Sequence, residues 1–186
     1  MRALARIALA SGISVTLNVI PDGALWTCHH VGLNGTNGGY TTNQIVDRSG
    51  AQWLKLSTDT NGTFLSITNG RVYDAASVDP HYYYFPSLMV NKAGDMVMGF
   101  SGSRSNAFIG AFYSWRAANG INSQPLVLRP GQGPFESSRW GDYSYTSLDP
   151  IDSLSFWTVQ QYAGEDPFDN RWGTWISEIL PNVPNP

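Results

Sequence analysis

Leu25-Trp26-Thr27 returns as Phe156-Trp157-Thr158, and Val90-Asn91-Lys92-Ala93-Gly94-Asp95-Met96 has a counterpart in Leu148-Asp149-Pro150-Ile151-Asp152-Ser153-Leu154. A small-then-aromatic pattern runs through Gly50-Ala51-Gln52-Trp53, Gly110-Ala111-Phe112-Tyr113 and Gly173-Thr174-Trp175. The glycines of this third pattern, like Asn91 and Asp149, stand about 60 residues apart. A period of that length with strand-like content marks a β-propeller or another repeated β-unit. The expected fold is therefore all-β: a propeller portion of about three four-stranded blades in one domain over residues 1–186. The blades fall at about 11–73, 84–130 and 142–180.

The repeats place the strands, lettered A (inner) to D (outer). Strand A is expected at 13–19, 86–91 and 144–148, and strand B at 24–29, 96–101 and 155–162. Strand C follows at 51–56, 109–115 and 172–179. Strand D is expected at 64–67 and 126–128. In the first strand A, Ile13, Val15, Leu17 and Val19 alternate with Ser14, Thr16 and Asn18, the period of a half-buried strand. Turn residues separate A from B at Pro21-Asp22-Gly23, Lys92-Ala93-Gly94-Asp95 and Pro150-Ile151-Asp152. The third blade lacks strand D, because the proline-rich run after Leu180 cannot continue a ladder.

Composition narrows the function classes. The net charge of −3 comes without a basic stripe, which argues against nucleic acid. No apolar run reaches the ~18 residues of a membrane span. A single cysteine, Cys28, excludes an intrachain disulfide and reads as a small buried hydrophobe. Residues 1–10, MRALARIALA, resemble a poor signal peptide, but Ser11, Gly12 and Ser14 interrupt the apolar stretch, and residues 3–10 read better as a strand or short helix of the fold.

Three blades do not close a ring and leave two raw sheet edges, which invite pairing with another chain. Either the chain is part of a longer propeller, or two copies combine as a 3 + 3 homo-oligomer. Residues 3–10 are of suitable length to supply the missing outer strand.

Ser57-Thr58-Asp59-Thr60-Asn61-Gly62-Thr63-Phe64 resembles the Asp-box, Ser-x-Asp-x-Gly-x-Thr-Trp, of the sialidase-like propellers built from bacterial neuraminidase repeats. It departs at Asn61 and Phe64, where the family has Gly and Trp. The resemblance implies a structural turn between strands C and D, with carboxylate-to-backbone bonds and the aromatic packed inside the blade. It does not imply sialidase catalysis, which needs three arginines from separate blades and a Tyr/Glu pair. Only Arg139 stands at the start of an inner strand; Arg104 and Arg171 are looser matches. A broader likeness runs from about residue 80 to 180 through Arg139-Trp140-Gly141-Asp142-Tyr143-Ser144 and Arg171-Trp172-Gly173-Thr174-Trp175. It is similar to the C-terminal blades of large secreted bacterial propeller proteins and implies a secreted or cell-surface location.

In a propeller the D-to-A and B-to-C connections share one face, around the channel mouth. The chain's unusual polar and aromatic residues fall in those segments. Arg139, Asp142 and Tyr143 are the candidate catalytic set; His30, Tyr82, Tyr84, Arg104, Trp140, Gln160 and Tyr162 are candidate ligand-binding residues. Rings of this kind stack on sugar faces, while Arg, Asp and Gln bond hydroxyls or a carboxylate. The expected ligand is a carbohydrate or a similar polar molecule. The rival readings are a hydrolase at the same face, glycosidase or calcium-dependent lactonase or esterase, and a structural or adhesive module. Trp140-Gly141-Asp142 also reads as a plain structural corner. No cofactor motif is present; calcium is the one ion suggested, through Glu165, Asp166 and Asp169.

Overall fold

The computed structural model describes residues 18–19, 24–35, 46–61, 63–137, 139–165 and 171–181. These residues form strands, turns and connections, with no helix among them. The first sheet contains β1 (Asn18–Val19), β2 (Leu25–Leu33), β3 (Arg48–Thr58) and β4 (Phe64–Val72). The second contains β5 (Tyr82–Val90), β6 (Met96–Arg104), β7 (Ala107–Arg116) and β8 (Leu126–Arg129). The third contains β9 (Tyr145–Leu148), β10 (Phe156–Ala163) and β11 (Trp172–Ile179). Each sheet is an antiparallel meander in which neighbours in sequence are neighbours in space.

The three sheets coincide with the three expected repeats, and the third has no outer strand among the described residues. The expected segment 2–10, most of the first strand A and the turn at 21–23 lie outside the described residues. His29-His30 and Gln160–Ala163, expected in connections, lie within β2 and β10. Two further stretches expected as connections are strand as well: Tyr82–Tyr84 opens β5, and Ser101–Arg104 closes β6. They pair with each other, Tyr82 opposite Ser103 and Tyr84 opposite Ser101, so ladder bonding extends both strands beyond the hydrophobic stretch.

The repeat has a packing cause. Gly50, in β3, would place a Cβ 2.8 Å from the Val72 carbonyl oxygen; Gly110, in β7, would place one 2.8 Å from that of Arg129. In both sheets the end of the fourth strand closes onto the third where only glycine leaves room. Asn91 and Asp149 likewise do one job in two hairpins. Asn91 Oδ1 accepts the amides of Ala93 and Asp95 at 3.0 and 2.9 Å, and Asp149 Oδ1 accepts the Ile151 amide at 2.7 Å. These are Asx turns that set the first strand pair.

The sheets stack in chain order: β5 packs on β2 and β3, β9 on β5, and β10 on β6 and β7. Strand β6 is buried from Met96 to Gly102, so both of its faces are covered. Met96, Met98 and Phe100 meet Trp26, Cys28 and Trp53 of the first sheet in an apolar core. Each fully buried side chain of this size contributes about 1.5–3 kcal/mol. Cys28 is buried there, and burial pushes its thiol up to about 12. The core against the third sheet is mixed. Val97, Tyr113, Phe156 and Ile179 form its apolar part.

The rest of that interface is a buried polar seam. Gln160 Nε2 donates to Ser87 Oγ at 3.0 Å and to Thr158 Oγ1 at 2.8 Å, while Gln160 Oε1 accepts from Ser144 Oγ at 2.8 Å. Thr146 Oγ1 lies 3.0 Å from both Ser87 Oγ and Thr158 Oγ1. Satisfied bonds of this kind each add about 1 kcal/mol, and stranding one partner costs about 1–3 kcal/mol.

Two predictions follow from the packing and the turns. Gly99→Ala would put a methyl 2.2 Å from Gln160 Nε2 and 2.4 Å from Thr158 Oγ1. Overpacking here should cost about 1–3 kcal/mol, read as a lower urea midpoint; an unchanged midpoint would refute the seam geometry. In the β9–β10 turn, the Trp157 indole N–H and the Ile151 amide hold Asp149 below the ordinary carboxylate range. The Ser155 hydroxyl and the Leu154 and Ser155 amides do the same for Asp152. The unfolded chain therefore takes up these protons first. The stabilisation is complete above the ordinary carboxylate value and is lost as pH falls through the lowered folded values. Asp152→Asn should flatten the acid side of a melting temperature against pH curve; an unaltered slope would contradict the assignment.

Candidate functional site

The connection from β8 to β9 carries the residues that the sequence singles out most strongly. It first crosses to the third sheet, where the Gln132 amide donates to the Ala163 carbonyl at 2.9 Å. The Trp140 indole N–H then reaches the second sheet, donating to Ser101 Oγ at 3.1 Å, and its ring meets Phe135 edge-on at 4.7 Å. Gly141 follows with φ of +97°, and its amide donates to Gln161 Oε1 at 3.1 Å. A Cβ at this glycine would lie 2.3 Å from the Phe85 ring, so the residue combines a left-handed backbone with close contact. Phe85 itself has φ of +52°, at a break in the β5–β6 register, and its ring also meets His30 at 5.5 Å. Trp140 and Gly141 thus serve as the structural corner, and they fix what comes next.

Beyond the corner the side chains face solvent. Arg139 Nη2 lies 3.7 Å from Asp142 Oδ2, both largely exposed, so the pair adds little stability. Tyr143 stacks on Trp172 of β11 with centroids 4.5 Å apart and planes 20° apart. Both rings remain well exposed. Together with Phe135, Ser137 and Gln161, these four residues line a cavity of about 370 Å³. Among the described residues, Asp142 is the only carboxylate in that lining.

The structure brings Arg139, Asp142 and Tyr143 to one cavity and sets Trp140 directly behind it. The other candidates are elsewhere. Gln160 is fully buried in the polar seam, its amide engaged on both atoms, because it points from β10 toward the second sheet. Tyr162 lies under the Arg129 guanidinium, 5.5 Å from centroid to Cζ. The Tyr84 hydroxyl bonds Ser103 Oγ at 2.8 Å, and the Tyr82 hydroxyl donates to the Asp47 carbonyl. Arg104 ends β6, close enough to Asp79 to help hold its carboxylate low, behind the Ser105 hydroxyl and amide. Burial pushes the His29 and His30 imidazoles below their ordinary range, and His30 adds charge repulsion at His29.

Asp166 and Asp169 lie outside the described residues, and Glu165 is exposed. Among the described residues, no group of three or more His, Cys, Asp or Glu gathers as a metal site. Trp172 and Gln161 were not singled out by sequence. The signals for Trp172 are its place at the start of a third strand and in the Arg171–Trp175 run of the broader likeness, and neither tells which loop lies on it.

At the first C-to-D turn, Asp59 Oδ1 accepts the Asn61 and Thr63 amides at 2.9 and 2.7 Å. This matches the carboxylate-to-backbone bonds that the Asp-box resemblance implies. Phe64 does not match: it is 55% exposed rather than packed inside the sheet. No protein-family model matches the chain, and a search of curated proteins finds no relative.

The corner yields its own test. Gly141→Ala should destabilise by about 1–3 kcal/mol through the Phe85 clash and the positive φ, measured by urea unfolding. Trp172→Ala removes an exposed ring from the far side of the cavity and should leave stability within about 0.5 kcal/mol. Equal losses for the two would mean that the stacked pair is itself structural.

Proposed function

We propose that the chain forms three consecutive blades of a secreted, sialidase-like propeller that binds a carbohydrate or similar polar ligand at the Arg139–Tyr143 cavity. The observation that carries this reading is the exposed, parallel Tyr143–Trp172 stack beside Arg139 and Asp142. A flat aromatic platform gives a sugar ring an apolar surface, and the adjacent charged groups offer bonds to its hydroxyls. The propeller assignment is supported by three meanders stacked in chain order and by the Asp59 turn at the expected place. The ring would be completed by a second copy or by further blades. Binding is favoured over hydrolysis because the described residues of the lining supply a single carboxylate, whereas glycoside hydrolysis ordinarily uses two.

The test is calorimetric titration with neutral and acidic oligosaccharides. Trp172→Ala and Asp142→Asn should each weaken binding by about tenfold or more, corresponding to ~1.4 kcal/mol, while the melting temperature barely moves. Turnover of a glycoside that is lost in Asp142→Asn would instead establish the hydrolase reading. Absence of binding to every glycan offered would refute both.

A further inference from the structure

Side chains alternate along a strand, so the two adjacent glutamines of β10 serve opposite faces of the third sheet. Gln160 points into the polar seam. Gln161 points away from it, paired with Thr174, while Ala163 on the same face pairs with Trp172. Gln161 and Trp172 thus share a face, and both line the Arg139–Tyr143 cavity. Gln161 is 2% exposed, the one buried residue among those described in that lining.

Chemistry fixes how its amide is turned. A backbone amide can only donate, so the atom that meets the Gly141 N–H at 3.1 Å is Oε1, and Nε2 takes the other position. Gln160 uses both atoms of its amide in hydrogen bonds. By contrast, Gln161 Nε2 donates to none of the described residues and is not among the sealed-off nitrogens. The floor of the cavity is therefore a preset N–H donor that lacks an acceptor.

The kind of acceptor follows from the rest of the lining. A hydroxyl would accept from Nε2 but would bring a hydrogen of its own to the floor. The buried side-chain oxygen there, Gln161 Oε1, already accepts from Gly141. A carboxylate would accept, but Arg139 is matched by Asp142 at 3.7 Å, so the described lining has no net charge to offset the lost hydration. An uncharged carbonyl only accepts, and it avoids both penalties. Phe135, edge-on to Trp140 at 4.7 Å, adds an apolar wall to the same cavity.

We infer that the cavity selects a neutral sugar carrying an acetamido group, with Gln161 as the specificity-determining residue. The acetamido carbonyl accepts from Gln161 Nε2, its methyl lies against Phe135, and its N–H faces the Asp142 carboxylate. The sugar ring rests on Tyr143 and Trp172. A site built around a buried donor discriminates strongly against an analogue that lacks the acceptor. The inference rests on the reading of this cavity as a carbohydrate site.

Chitobiose and cellobiose differ only in having an acetamido group or a hydroxyl at the same ring carbon, so titrating the whole chain with each isolates that group. Chitobiose is expected to bind about tenfold more tightly or better. Equal affinities would overturn the inference and leave the carbohydrate reading standing, whereas binding of neither would overturn both. Digalacturonate binding as tightly as chitobiose would overturn the choice of a neutral carbonyl over a carboxylate. Gln161→Glu keeps an oxygen for the Gly141 amide and replaces the donor by an acceptor, so the ratio of the two affinities should fall to about one. An unchanged ratio in the folded variant would overturn the role of Gln161. Should that variant fail to fold, the disaccharide of glucosamine, which lacks the acetyl group, reads the same contact from the ligand's side. It should bind as weakly as cellobiose, and affinity equal to that of chitobiose would overturn the inference.

Discussion

Strand β6 has to be covered on both faces. Its side chains alternate between an apolar row, Met96, Met98 and Phe100, and a row that begins with Val97 and continues through Gly99 and Ser101. The two rows are covered for different reasons. The first would expose large apolar surface, while the second, with Ser87 of the neighbouring β5, faces the hydroxyl and amide groups of Ser144, β9 and β10. A single meander cannot meet both demands. The second sheet therefore requires a sheet before it and a sheet after it, and the stacking in chain order is the short-loop way to provide them.

The two interfaces are chemically unlike. Between the first and second sheets, tryptophan, methionine and phenylalanine fill the space, and the core tolerates approximate fit. Between the second and third, hydroxyls and one glutamine amide must meet at hydrogen-bond distance, so the relative position of the sheets is set more narrowly. That rigidity matters for the Arg139–Tyr143 corner. Trp140 is anchored on the second sheet through Ser101, Gly141 on the third through Gln161, and Tyr143 on the third through Trp172. The exposed rings therefore stand on a seam that does not slide.

Most of the strand order was legible from the repeats, because their glycines answer to a backbone contact shared by the first two sheets and their Asx residues to a turn shared by the second and third. The strand ends were less legible. Tyr82–Tyr84 and Ser101–Arg104 look like polar connections until they are seen to pair with each other. Site residues divided along the same line. Arg139, Asp142 and Tyr143 were found because they are close in sequence; Trp172 was missed because only the fold brings β11 beneath that loop. Gln160 was misread because a glutamine inside an aromatic strand resembles a surface group, whereas here it bonds hydroxyls across a buried interface.

The unequal faces of the second sheet also bear on how the chain is made. Synthesis proceeds from the first sheet to the third, and each meander closes from neighbours already present. When β5 to β8 emerge, the Met96-Met98-Phe100 face has a partner waiting in Trp26 and Trp53. The face that must wait for β9 and β10 is the mixed one, where Val97 and Tyr113 stand beside Ser87, Gly99 and Ser101, and water can hydrate its hydroxyls in the interval. The wholly apolar surface is covered first and the mixed one last, so the half-made protein presents the less adhesive of its two sides to the ribosome's crowded surroundings.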